Sequence, residues 1–180
     1  MASTKTRQIL SDGEFARTLE RLAFEILERH DQSRRLALVG IQRRGVELAD
    51  RLRRLLENRL GQEVPLGKLD INLYRDDWTT MESQPRISRT DIPFSVDDSQ
   101  IILVDDVLYT GRTIRAALEA ILDFGRPSRV ELLVLVDRGH RELPIHADYV
   151  GKRLDTSKRE RIDVLIQERD ERDAVVLTEE

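Results

Sequence analysis

The 180-residue sequence has no cysteine. That excludes a disulfide framework, a thiolate metal site and a cysteine nucleophile, and it is compatible with the cytoplasm, where the chain is expected to work. No apolar run approaches the roughly 20 residues needed to cross a bilayer. The start, Met1-Ala2-Ser3-Thr4-Lys5, lacks the apolar segment of a signal peptide, so no membrane partner is expected. A Gly-x-x-x-x-Gly-Lys-Ser/Thr phosphate loop is also missing, because Gly67-Lys68 and Gly151-Lys152 run on into Leu69 and Arg153. The net charge of −4 gives no overall pull towards nucleic acid, and any RNA contact must come from a local basic patch. There is no internal repeat, low-complexity tract or interdomain linker. What is present, 39% hydrophobic beside 36% charged residues, reads as one soluble globular domain over residues 1–180 with a sizeable core.

Hydrophobic periodicity divides the chain into alternating strands and helices. Ser11 and Glu14 have the spacing of a capping box, and Phe15, Leu19, Leu22 and Ile26 follow as a core-facing helical stripe. Phe24 falls on the opposite, charged side of that helix, where a large aromatic marks either a subunit contact or an isolated surface ring. Leu36–Ile41 reads as the first central strand; Gln42-Arg43-Arg44-Gly45 then turns into a helix with Val46, Ala49, Leu52 and Leu56 inward. Residues 66–74 are another strand candidate. No periodicity survives over 75–95, and a stretch of that length inside a domain is a lid or a disordered segment. A helix is predicted over 112–124, stopped by Gly125 with Pro127 beyond, and strands at 130–136, 147–150, 162–166 and 174–177. The alternation predicts an α/β fold with a mostly parallel central sheet flanked by helices.

The chemistry concentrates in residues 101–113. Ile101-Ile102-Leu103-Val104 suits a strand buried on both faces, and Asp105 and Asp106 follow where that strand should end. The turn Tyr109-Thr110-Gly111-Arg112-Thr113 then opens a helix. Helix N-termini bind anions through exposed backbone N–H groups, and Gly111 lets the backbone come close. Ionised carboxylates only accept hydrogen bonds, so hydroxyl groups suit the acidic pair. A ribose 5-phosphate satisfies both halves. Arg43 and Arg44, beside Gly45 at another strand-to-helix turn, make a second plausible anion site.

The 101–113 segment resembles the phosphoribosyl-diphosphate (PRPP) signature of type I phosphoribosyltransferases. Together with Val136-Asp137-Arg138-Gly139-His140-Arg141-Glu142-Leu143-Pro144, it resembles the bacterial pyrimidine-operon attenuation regulators that double as uracil phosphoribosyltransferases. The resemblance runs from about Ile9 to the C-terminus. It implies the type I phosphoribosyltransferase fold, with a flexible lid loop at about 75–95 and late strands (147–177) partly in a small hood. The implied reaction is uracil plus PRPP giving UMP and diphosphate. Asp105 and Asp106 would be catalytic, meeting the ribose hydroxyls and the cationic sugar. Val107, Leu108, Tyr109, Thr110, Gly111, Arg112 and Thr113 would form the 5-phosphate loop. Arg43 and Arg44, with Arg44 the better match, would hold pyrophosphate in a loop where cis non-proline backbone occurs. The base would lie beside Arg138 and His140, largely against backbone groups; His140 could be an acid or base, or a structural hydrogen-bonding residue. Arg75, Arg86 and Arg89 are lid candidates for phosphate. Mg²⁺ would be carried mainly by PRPP, with no dedicated protein metal site.

The same resemblance implies a second activity, binding of pyrimidine-operon leader mRNA under the control of UMP or UTP. Arg21, Arg29, Arg141 and Lys152 match basic family positions on the RNA face, whereas Glu20, Phe24 and His146 stand where RNA-binding members often have Thr, His and Arg. A homodimer or higher homo-oligomer is expected. The alternatives are a salvage enzyme without RNA binding and an RNA-binding regulator with vestigial catalysis.

Overall fold

The apolar run at 101–104 becomes the middle of a five-stranded parallel sheet, with none of its four side chains more than 1% exposed. A computed structural model describes residues 5–31, 33–76 and 89–179. In chain order the elements are β1 (Lys5–Leu10), α1 (Asp12–His30), β2 (Leu36–Ile41), α2 (Arg44–Leu60), β3 (Leu66–Leu69), a 3-10 turn (Asn72–Tyr74) and β4 (Gln100–Leu108). There follow α3 (Arg112–Leu122), β5 (Arg129–Asp137), β6 (Tyr149–Arg153), β7 (Glu160–Leu165), α4 (Gln167–Asp170) and β8 (Ala174–Glu179). The central sheet runs β3-β2-β4-β5-β6, and a second, antiparallel sheet runs β1-β8-β7. Most of the lid expected over 75–95, including Arg86, lies outside the described residues.

Local signals account for the helices. At the start of α1 the Ser11 hydroxyl accepts from the Glu14 N–H, while the Glu14 carboxylate accepts from the Ser11 N–H at 2.8 Å. The stripe Phe15, Leu19, Leu22 and Ile26 is buried with Leu48, Leu52 and Leu56 of α2 against one face of the sheet. Ile114, Ala117 and Ile121 of α3 cover the other face. Phe24 is half-exposed, with the Arg59 guanidinium 4.5 Å from its ring.

Several boundaries differ from the sequence reading. The acidic pair does not follow the central strand but lies inside it. Pairing with β2 ends at Gly40–Val104, yet pairing with β5 continues through Asp105–Val134 and Val107–Val136 to Leu108–Asp137. β3 stops at Leu69, and residues 72–74 close into the 3-10 turn instead of extending the strand. α3 ends at Leu122, before the half-exposed Phe124, and Val46 is only partly buried, its expected place in the core taken by Leu48. β6 starts at Tyr149 and belongs to the central sheet, while β7 and β8 leave it to pair with β1. β1 carries no strand signal in the sequence because only Leu10 of its six residues is buried.

Gly45 fixes how closely α2 approaches the central strand. A Cβ there would lie 2.3 Å from the Val104 carbonyl oxygen, a backbone atom that cannot swing aside. Gly45→Ala is therefore expected to cost about 1–3 kcal/mol of stability, as overpacking in a close-packed interior does. Thermal denaturation of the variant measures it, and an unchanged midpoint would refute the close approach.

Candidate active site

Two cavities meet at the carboxyl ends of β2, β3 and β4, where an open α/β sheet places its ligands. One, of about 260 Å³, is bounded by Arg43, Arg44, Asp70, Asp105 and Asp106. The other, of about 290 Å³, is lined by Tyr109, Thr110, Arg112 and Asp76. Arg75 and Thr113 border both. A larger hollow of about 350 Å³ lies at the opposite end of the strands, beside Arg35, Leu36 and Ser99, away from the acidic pair. The fold thus brings the acidic pair, the arginine turn and the Gly111 turn together.

The arginine turn leaves β2 through a cis peptide between Gln42 and Arg43, with the Gln42 N–H donating to the Leu69 carbonyl at 2.9 Å. Arg44 begins α2, and its Nη2 donates to the Asp170 carboxylate of α4 at 3.1 Å. Arg43 is exposed and has no ion-pair partner among the described residues. The better family match is therefore the more encumbered of the two. Gly111, at φ +93°, takes a left-handed conformation that side-chain-bearing residues rarely adopt, and it starts α3 without a side-chain cap. Arg112 turns aside, pairing with Glu142 at 2.7 Å and Asp76 at 2.9 Å.

In the acidic pair, Asp105 Oδ1 accepts from the Asp106 N–H at 2.9 Å, and Asp106 Oδ1 accepts from the Val107 N–H at 2.8 Å. Asp105 is 7% exposed. Its burial, and then the neighbouring Asp106 carboxylate, push its pKa well above the ordinary value. Asp70 is the site residue that the sequence reading omits. Its Oδ1 accepts from the Asn72 N–H at 2.9 Å, whereas its buried Oδ2 has no hydrogen-bond partner. A carboxylate directly after the short edge strand β3 was the available signal. Among the described residues no group of three or more His, Cys, Asp or Glu is arranged to hold a metal.

The segment after β5 forms a wall rather than a set of free side chains. Arg138 is buried; its guanidinium donates to the carbonyls of Ser157 at 3.0 Å and Glu160 at 2.7 Å and lies 4.2 Å from the Tyr109 ring centre. His140 Nε2–H donates to the Thr156 carbonyl. Neither residue lines the two cavities. Arg89 is exposed.

Three of the four RNA candidates gather at α1 and β6. Arg21 reaches from α1 to the Gly151 carbonyl of β6 at 2.5 Å, Arg29 stacks 4.7 Å from the Tyr149 ring centre, and Lys152 lies on β6. Arg141 does not join them, contrary to expectation. Its Nε, Nη1 and Nη2 have acceptors in Ile145, Tyr109 and Asp137, which draw it towards the Gly111 turn. His146 is also apart, bordering a cleft between α3 and β5.

A profile of the phosphoribosyl transferase domain matches residues 5–169. Proteins named bifunctional protein PyrR match almost end to end. That of Pelotomaculum thermopropionicum is 55% identical over 179 residues, covering 99% of this chain and 98% of the relative. The chain belongs to the PyrR group of the phosphoribosyl transferase family. Another PyrR relative, from Deinococcus radiodurans, is 55% identical, with 94% of this chain and 92% of that one covered. Among solved structures, a hypoxanthine phosphoribosyltransferase from Trypanosoma cruzi superposes with a TM-score of 0.68 at 16% identity, covering 87% of this chain and 82% of its own. One from Staphylococcus aureus gives 0.64 at 20% identity, covering 84% and 79%. At those identities the likeness is one of fold.

The raised pKa of Asp105 makes stability depend on pH. In the unfolded chain the carboxyl ionises near its ordinary 3.8. As pH rises past that value the unfolded state gives up its proton first, and the folded state loses stability until its own raised pKa is reached. Asparagine does not titrate. Asp105→Asn should therefore raise the melting temperature more at pH 7 than at pH 4. Equal shifts at both would mean that folded Asp105 ionises normally.

Proposed function

We propose that this chain transfers the phosphoribosyl group of PRPP to uracil, giving UMP and diphosphate, and binds pyrimidine-operon leader mRNA under the control of UMP or UTP. The observation that carries the first activity is the convergence of Asp105 and Asp106, the arginine turn and the Gly111 turn on two adjoining cavities. The 5-phosphate sits on the turn from Tyr109 to Thr113, against the N–H groups that open α3. The ribose then lies over the acidic pair. The bond from the anomeric carbon to diphosphate breaks, a bond to uracil N1 forms, and the N1 proton is lost. Positive charge builds on the sugar as in glycoside hydrolysis, and the carboxylates of β4 stabilise it. Diphosphate departs towards Arg43 and the N-terminus of α2; Arg44 reaches it by exchanging Asp170 for a phosphate oxygen.

The family generally uses Mg²⁺ with PRPP, and the ion neutralises the diphosphate when bound. An ion carried by substrate oxygens and water needs one or two protein carboxylates. The unpartnered Asp70 Oδ2 and Asp106, on the same cavity, fit that need. The choice of uracil rests on the likeness of residues 136–144 to the regulator subfamily, with the base beside the Arg138–His140 backbone. The RNA face is that of Arg21, Arg29 and Lys152. The working form is a cytoplasmic homodimer or higher homo-oligomer.

A phosphoribosyl transfer assay with uracil tests the enzyme. Asp105→Asn combined with Asp106→Asn is expected to fold and to lose at least about a hundredfold in turnover, the scale of one electrostatic contact removed from a transition state. Near-normal turnover would remove the pair from the mechanism. For RNA, three cationic contacts to a largely single-stranded leader give a log–log salt slope of roughly two, at about 0.7 per contact. Glu20→Thr should strengthen binding without altering uracil transfer. If leader RNA is not bound at any salt, with or without UMP, the chain is a salvage enzyme alone.

A further inference from the structure

We propose that Arg141 is a positioning residue for the 5-phosphate, its guanidinium orienting the Tyr109–Thr110 peptide so that the turn presents N–H groups to the anion. The proposal rests on the reading of residues 109–113 as the phosphate turn.

Three successive carbonyls, from the last residue of β4 into that turn, are held from outside. Leu108 accepts from the Arg138 N–H at 3.1 Å, and Thr110 accepts from the N–H groups of Glu142 at 2.9 Å and Leu143 at 3.2 Å. Between them, Tyr109 accepts from Arg141 Nη1 at 2.5 Å. A trans peptide is planar, with C=O and N–H pointing in opposite directions. Carbonyls drawn towards the 138–143 segment therefore turn the N–H groups of Thr110 and Gly111 the other way, as an anion held at the start of α3 requires.

Only the middle hold is made by a side chain. Arg141 is itself fixed: Nη2 donates to both oxygens of Asp137 at 2.8 Å, and Nε donates to the Ile145 carbonyl at 2.8 Å. Asp137 ends β5 directly opposite Leu108 of β4, and its Oδ1 also accepts from the Gly139 N–H at 3.0 Å. The clamp is thus anchored to the sheet, and its side chain is only 18% exposed. A guanidinium can meet three acceptors in one plane; an ammonium cannot.

The test compares the affinities of UMP and of uridine, which lacks the phosphate, by calorimetry. Arg141→Met is expected to lower UMP affinity about tenfold, the scale of one hydrogen bond to a charged group, and to leave uridine affinity unchanged. Loss of folded protein alters the stoichiometry for both ligands and not the ratio of their affinities. Arg141→Lys keeps the charge, and its ratio should fall between those of the parent and Arg141→Met; if Arg141→Met does not fold, a parental ratio in Arg141→Lys overturns the proposal. So does an equal loss for UMP and uridine, which is a general structural effect. Gly111→Val separates the proposal from the reading beneath it. If Gly111→Val lowers the ratio and Arg141→Met does not, the phosphate turn stands and Arg141 does not position it. If neither lowers it, the turn is not the phosphate site and both fail.

Discussion

Parallel pairing holds β4 on both sides as far as Val104 and on one side only from there to Leu108. β5 continues the ladder while β2 has already turned away into Gln42 and α2. Asp105 and Asp106 consequently stand on a strand rather than a loop, with one edge open to the arginine turn. Groups carried on regular elements are held more firmly than groups carried on loops. The contact of Gly45 with the Val104 carbonyl sets the distance between the two walls, and the end of β5 supplies Asp137, which pairs with the Arg141 that donates to the Tyr109 carbonyl. Everything the site needs is registered to those last four residues of β4.

The charges around that strand fall into tied and untied sets. α4 and the turn that follows it are bound to α2 by Arg51 with Glu168 and Asp173, by Arg169 with Glu47, and by Arg44 with Asp170. Such partly exposed pairs each contribute little. The second sheet is secured instead by Ile162, Val164, Val175 and Leu177, which share one core with Leu10 and Phe15. A different tie sits beneath the basic face. The buried Glu131 carboxylate of β5 accepts from His30 Nε2 at 2.6 Å and from the Tyr149 hydroxyl at 3.0 Å. It joins the end of α1 to β5 and β6, and so fixes the tyrosine on which Arg29 stacks.

What was legible in the sequence was local. The capping box, the helical stripe of α1, the buried run at 101–104 and the Gly111 turn each depend on residues a few positions apart. What was not legible depends on distant partners. Where β4 ends is decided by β5, not by its own residues. Which of Arg43 and Arg44 remains unencumbered depends on Asp170, more than a hundred positions away. Arg141 looks like any basic surface residue until Tyr109, Asp137 and Ile145 supply its acceptors. β1 could not be read at all, since a strand that buries one residue in six has no alternation to show.

That strand ties the order of synthesis to the order of folding. β1 pairs along β8, from Lys5 against Glu179 to Leu10 against Val175. A growing chain makes its first strand roughly ten to thirty seconds before the last is available, at about 5–20 residues per second. Over that interval the hydrogen-bonding edge of β1 has no native partner. Leu10 and Phe15 likewise wait for Val175 and Leu177 to complete the core they share. Closure of this small sheet is thus a late, long-range event, and until it happens β1 carries an open edge of the kind that pairs with other strands.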